Sequence, residues 1–266
     1  MMTGNNTIAV LNYSAGMDST GLLLHLIAGG FLVKCISFDY GQRHKIELER
    51  GTQQMEYLKS RGYGIEREII DIGFLGRISN SSLAGKEDIP EGFYEDSNMK
   101  STVVENRNAI FASITYAYAL ALSKKYDMDA VIAQALHSGD HAIYKDASPE
   151  FREALEYAFK IGNYDSERVG YYTPYINGNK TTILEDSLHN CLKLNLDFDV
   201  IFRNSNTSYN PDPKTGKASG KSGADVERIL AFHELGLIDP CEYMEPWEDV
   251  LRNALKQQTD FNNKNK

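Results

Sequence analysis

Residues 12–26 read NYSAGMDSTGLLLHL and follow directly on the apolar run Ile8 to Leu11. A short strand, Thr7 to Asn12, therefore runs into a tight turn of small and hydroxyl residues, and a leucine-rich helix, Thr20 to Ala28, leaves it. The same order repeats downstream. Leu32 to Asp39 is rich in β-formers, Ile46 to Arg61 has helical periodicity ended by Gly62, and Glu66 to Ile72 reads as a third strand. Strand and helix in alternation imply parallel strands joined by crossovers, with helices on both sheet faces.

Beyond Ile72 the alternation is less regular. Gly76 to Lys100 is polar with no clear period and reads as a surface excursion or lid. Asn108 to Lys124 is the longest apolar-periodic helix, Ala130 to Ala135 a buried strand, and Pro149 to Ile161 and Lys180 to Leu192 are further helices, the second led into by GYYTP (170–174). The expected architecture is an α/β open parallel sheet over residues 1–200. Residues 201–266 form a small loop-helix appendage with one helix, Ala224 to Leu235, and a frayed polar end, TDFNNKNK.

The chain has 266 residues, 42% of them apolar, which suffices for one large core. A net charge of -9, with basic residues scattered, argues against binding duplex nucleic acid through its phosphates. A small ligand or a protein partner fits better, as a monomer or a homodimer. The sequence contains no apolar run of the roughly twenty residues a bilayer requires, and its N-terminus lacks the order of a secretory signal, so a cytoplasmic protein without a membrane partner is expected. Cys35, Cys191 and Cys241 lie far apart and read as three reduced thiols.

The turn SAGMDST (14–20) places a helix N-terminus, with its unpaired N–H groups and positive dipole end, at the end of a strand. Ser14, Gly16, Ser19 and Thr20 let the backbone approach a phosphate closely. Asp18 would repel phosphate, and makes sense if it shares a Mg²⁺ ion with it. The Walker pattern G-x-x-x-x-G-K-[ST] is absent, so transfer of a γ-phosphate is not expected. The plainer alternative is an ordinary strand-to-helix turn with a capping residue. Polar residues also gather after the second strand, in YGQRH (40–44), where open α/β sheets bind ligands.

SAGMDST resembles the S-G-G-x-D-S pyrophosphate loop of the PP-loop ATP pyrophosphatase superfamily, with Ala15 where that family has glycine, a loss of φ > 0 freedom. YGQRHKIE (40–47) resembles the YGQRH-x-x-E signature of the 7-cyano-7-deazaguanine synthase (QueC-like) family. TVVENRNAIF (102–111) is similar to that family's V-P-x-R-N-x-x-F segment, with Arg107, Asn108 and Phe111 kept and Glu105 where the family has proline. ALHSGDHAIYKDASPEF (135–151) keeps His137, Gly139, Asp140, His141, Tyr144, Asp146, Glu150 and Phe151, and YTPYINGNK (172–180) keeps Thr173, Pro174 and Lys180. The resemblance runs from about residue 8 to residue 235.

What the resemblance implies is an adenine nucleotide alpha hydrolase-like fold and an ATP-dependent carbon–nitrogen ligase. Its substrates would be 7-carboxy-7-deazaguanine, ATP and ammonia, and its product the nitrile. ATP and Mg²⁺ would be held by Ser14, Ala15, Gly16, Met17, Asp18, Ser19 and Thr20, with Phe38, Gln42 and Arg43 near the adenosine. Arg107 can fork onto a carboxylate or phosphate, or serve as a structural ion pair at a helix start. Asp140 and Asp146 can accept from a guanine-like base, or cap a helix. Asn108 and Tyr144 join them as substrate contacts. His137 and His141 lie in a glycine-containing loop, and solvent-facing or substrate-lining roles fit them better than a metal pair. Lys180 can neutralise charge developing on an adenylyl group, or be solvated. With Asp18 and Arg107 it completes the catalytic set.

The family's four zinc cysteines are replaced by Ser208, Ser219, Ser222 and Asp225, so zinc is expected to be absent and the loop held by packing alone. YPDCRPEF has become YKDASPEF, with Ala147 and Ser148 for cysteine and arginine, a change that fits a divergent phage or anti-phage defence relative. Two other readings stay open at this point. One joins the deazaguanine acid to an amine of a partner protein or stops at the amide, and the other is a non-catalytic nucleotide or deazapurine sensor.

Overall fold

A computed structural model of the chain describes residues 6–42, 46–83, 89–93, 97–139 and 143–264. Strand β1 (Thr7–Asn12) is the centre of a five-stranded sheet with β2 (Leu32–Asp39), β3 (Glu66–Asp71), β4 (Asp129–Ala133) and β5 (Val169–Tyr172), in the order β3-β2-β1-β4-β5 and parallel throughout. β1 is apolar at every core position because both of its faces are covered. Ile8 and Val10 point into one core with β4 and Ala112, Tyr116 and Ala119, while Ala9 and Leu11 point into the other with Leu22, Leu23 and Ile183. GYYTP, read as a lead-in to a helix, supplies the edge strand β5 instead, where Val169–Tyr172 pairs with Ala130–Ala133.

Helices α1 (Met17–Ala28) and α2 (Ile46–Ser60) connect the first strands. α3 (Phe74–Ile78) follows β3, and α4 (Arg107–Tyr126) packs on β1 and β4 from the opposite face. The chain thus winds outward from β1 to β3, then returns to lay β4 against the other side of β1. At that reversal the loops leaving β1 and β4 diverge, and a crevice opens at their C-terminal ends.

After α5 (Pro149–Gly162), helix α6 (Lys180–Leu194) lies beside α1, and the pairs Asp18–Lys180 and His25–Asp186 show the two running parallel. Gly21 makes this approach possible: a Cβ there would stand 2.4 Å from Ile183 Cγ2 and 2.8 Å from Ser187 Oγ. Both helices therefore aim their N-terminal ends at the same crevice. α6 is itself closed by an Asn179 capping box with Thr182.

The region expected to be an appendage shares the main core. α7 (Phe198–Arg203) and α8 (Gly223–Glu234) contribute Ile201, Phe202, Ala231 and Phe232 to the cluster that contains α1. Of the end expected to fray, residues 259–264 close helix α9 (Trp247–Lys264), which buries Val250 and Ala254 against Val226 and Ile229 of α8. Its apolar residues recur at helical spacing, and that burial outweighs the polar tail. The polar stretch 76–100 is also no simple surface excursion, since Ser81, Ser82, Leu83, Ile89 and Met99 are buried.

The four positions aligned with zinc cysteines form a hydrogen-bonded hub. Asp225 Oδ2 accepts from Ser208 Oγ at 2.9 Å, Ser219 Oγ at 2.8 Å, Ser222 Oγ at 2.8 Å and Ser222 N–H at 3.2 Å. All four residues are buried. Packing alone does not hold this loop: a buried carboxylate needs donors, and three hydroxyls provide them. The donor set does not suit Zn²⁺, because neutral hydroxyls are poor ligands and here they turn inward to one oxygen.

Candidate active site

The turn after β1 is wound tightly by its own hydroxyls. Gly16 N–H donates to Ser14 Oγ at 3.2 Å, and the Ser14 and Ser19 hydroxyls lie 3.1 Å apart. Ala15 adopts the left-handed conformation, φ 61°, and is fully buried. The turn requires the conformation that glycine takes freely, and alanine holds it against Cβ strain. From the C-terminal half, Asn206 N–H donates to Ala15 O at 2.9 Å, and Thr207 Oγ1 accepts from Met17 N–H at 3.3 Å. Arg228 anchors that brace. It is 1% exposed, pairs with Asp239 at 2.6 and 2.8 Å, and donates to Ser205 Oγ at 2.7 Å and Thr207 Oγ1 at 3.1 Å.

A cavity of about 270 Å³ lies over this turn. Ser14, Gly16, Met17, Asp18 and Ser19 line it together with Arg107, Asn108 and Tyr144. Lys180, 4% exposed at the first position of α6, joins them. Its Nζ stands 2.6 Å from Asp18 Oδ2, 3.4 Å from Glu227 Oε2 and 3.1 Å from His137 Nε2. Burial pushes the Asp18 carboxyl up, but Lys180, with His137 and Arg228, more than offsets this and holds it below the usual carboxylate range. Asp18 Oδ1 is buried without a hydrogen-bond partner. A carboxylate oxygen left in this way beside a helix N-terminus suits a divalent ion shared with phosphates.

Arg107 opens α4, with its guanidinium 6.0 Å from the Tyr40 ring centre and 5.8 Å from that of Tyr144. Burial alone would lower its pKa, yet Tyr40 and Tyr144 raise it above the ordinary value, so it stays a cation facing the cavity. Tyr144 is fixed in turn by a 2.7 Å bond between its hydroxyl and Thr102 Oγ1.

Several expected residues occupy supporting places. Asp146 accepts from Asn108 N–H at 3.1 Å and Asn108 Nδ2 at 3.2 Å, the helix-capping alternative. His137 is fully buried behind Lys180, neither solvent-facing nor lining the cavity. Thr20 donates to Gln54 Oε1 at 3.2 Å, and Ala15 packs in the core. Phe38 stacks on Phe111 at 4.1 Å, and it is Phe111 that faces the cavity. Arg43, Asp140 and His141 lie outside the described residues. Among the lining residues that were not expected to contact a ligand are Asn206 to Tyr209, Glu47 and Gln134, whereas Tyr40 belongs to the YGQRH cluster expected there. Of these, Glu47 carried a sequence signal as the last letter of YGQRHKIE, and Ser208 as one of the positions expected in place of a zinc cysteine.

A family model described as Queuosine biosynthesis protein QueC matches residues 8–236. The chain belongs to the QueC family. Among curated QueC-family relatives, it is 42% identical to a 7-cyano-7-deazaguanine synthase of Marinomonas sp. (strain MWYL1) over 236 residues, 88% of this chain and 97% of that protein. It is 39% identical to the 7-cyano-7-deazaguanine synthase of Pseudoalteromonas translucida (strain TAC 125), covering 88% of this chain and 97% of that one. Among solved structures, a 4-thiouridine synthetase–RNA complex with bound ATP is similar at 14% identity and a TM-score of 0.45, over 94% of this chain and 53% of that one.

Proposed function

We propose that this chain is an ATP-dependent 7-cyano-7-deazaguanine synthase. It activates the carboxylate of 7-carboxy-7-deazaguanine for attack by ammonia, and then dehydrates the amide to the nitrile. The observation that carries the reading is the convergence in one cavity of two helix N-termini, the Asp18–Lys180 pair and the Arg107 cation. An anionic acid and a triphosphate must be brought together against their mutual repulsion, and these groups supply the positive field.

Arg107 orients the substrate carboxylate. The N–H groups of the α1 first turn receive phosphate oxygens, and Lys180 offsets charge growing on the α-phosphoryl group. Asp18 would hold Mg²⁺, which supplies charge neutralisation on the phosphates. A carboxylate oxygen attacks the α-phosphorus and pyrophosphate leaves. Ammonia then displaces AMP to give the amide. In a second round the amide oxygen is adenylated, and loss of AMP with an N–H proton leaves the nitrile. Each activation exchanges hydroxide or oxide for AMP as leaving group, so the protein's task is positioning and charge stabilisation. We place the activity in the cytoplasm, where ATP is available.

The test is product mass spectrometry on purified protein given the acid, ATP, Mg²⁺ and ammonium. Nitrile is expected with ammonium, and neither amide nor nitrile without it. Absence of both products and of ATP consumption under every condition would remove the proposal.

A further inference from the structure

Glu47 is a charged group in the cavity to which the mechanism gives no task. It projects from the first turn of α2 between Tyr40, Gln42 and Arg107. Gln42 is fully committed to fixing it. The Gln42 Oε1 accepts from Tyr40 N–H at 2.9 Å, and its Nε2 donates to Phe38 O at 3.2 Å and to Glu47 Oε1 at 2.8 Å. The amide therefore has no hydrogen left for a ligand, and its effect is to aim one carboxylate oxygen while the rest of the group faces the cavity. Phe111, stacked on Phe38, offers a flat apolar wall beside it.

We infer that Glu47 reads the base: its carboxylate accepts from the ring N–H and the exocyclic amino group on the 2-amino-4-oxo edge of the deazaguanine acid. The inference rests on the substrate reading above. A carboxylate is an acceptor only, so it demands adjacent donors. The 2-amino-4-oxo edge presents two side by side. Adenine presents an amino group flanked by ring nitrogens with lone pairs, which a carboxylate repels, so the place beside Phe38 and Gln42 expected for the adenosine goes instead to the substrate base. Charge-assisted, two-point contacts of this kind are strong and geometrically selective. Burial, opposed by Gln42 and Arg107, pushes the Glu47 carboxyl up to about 7, and two N–H donors from the base would favour its ionised form.

The experiment compares 7-carboxy-7-deazaguanine with its analogue lacking the 2-amino group, in wild type and Glu47→Gln. Wild type should favour the amino-bearing acid in kcat/KM by roughly 100-fold, because a site built for a donor rejects a ligand without it. Glu47→Gln should bring the two within about 3-fold by raising the KM of the amino-bearing acid, with the KM for ATP unchanged. A variant that keeps the preference, or loses both acids equally, overturns the inference. Calorimetric binding of the two acids to wild type needs no variant: equal affinities would also overturn it. If wild type binds the acids selectively but consumes no ATP, the proposed reaction fails while the role of Glu47 stands.

Discussion

The Nζ of Lys180 lies 2.6 Å from Oδ2 of Asp18, two residues 162 positions apart that open two parallel helices. The contact joins the loop after β1 to the second half of the chain, and it exists because Gly21 lets α1 and α6 come close. Lys180→Met should lower kcat by about 100- to 1000-fold, the usual loss when a preorganised charge is removed from a phosphoryl site. It should also lower stability by about 2 kcal/mol, since Asp18 is left buried and unpaired. Steady-state kinetics and denaturant titration check both. The double variant with Asp18→Asn should recover part of the stability, since Lys180 also stands 3.4 Å from Glu227, and none of the rate.

Ala15 holds a left-handed backbone that glycine would hold without a Cβ. Ala15→Gly should raise stability by about 0.5 kcal/mol, the αL strain relieved less the extra entropy of unfolded glycine. A higher denaturant midpoint is expected, and a lower one would mean that the alanine methyl packs better than the strain costs.

Asp225 gathers the hydroxyls of Ser208, Ser219 and Ser222 at the centre of the C-terminal loop. Asp225→Ala should lower stability by about 3 kcal/mol, because three buried hydroxyls lose their common acceptor. Chelator should leave the melting temperature of the wild type unchanged. A chelator-induced drop would show a metal contributing to this fold.

Glu47 sets a pH dependence of stability. Burial, opposed by Gln42 and Arg107, raises its carboxyl from the ordinary 4.5 to about 7. Between these values the folded chain holds a proton that the unfolded chain releases, so the contribution is full below about 4.5 and is lost as pH rises through 7. Denaturant titrations at pH 5 and pH 8 should show a smaller fall in stability for Glu47→Gln than for wild type.

The sheet centre was legible because β1, β2 and α1 are specified locally: a buried parallel strand is a continuous apolar run, and the turn SAGMDST carries its own chemistry. The residues of that turn, singled out locally, and Arg107, singled out by resemblance, line one cavity in the structure. What sequence could not supply was contact across the chain. Nothing local in Asn206 or Thr207 marks them as braces for the turn, and His137 is buried with Lys180 of the distant α6 against it. Asp146 had two readings from sequence, and its distance to Asn108 places it at the α4 N-terminus. α9 was missed because its polar tail dominates the local composition, while the stripe ending in Val250 and Ala254 has meaning only against α8.

On the proposed function, the turn between β1 and α1 directs attack at the α-phosphorus of ATP. Chromatography of the nucleotide products formed with 7-carboxy-7-deazaguanine and ammonium tests it most directly. Acid-dependent AMP and pyrophosphate are the expected products, strongly reduced in Asp18→Asn and Lys180→Met. Formation of ADP and phosphate, or of AMP at an equal rate without the acid, would contradict it.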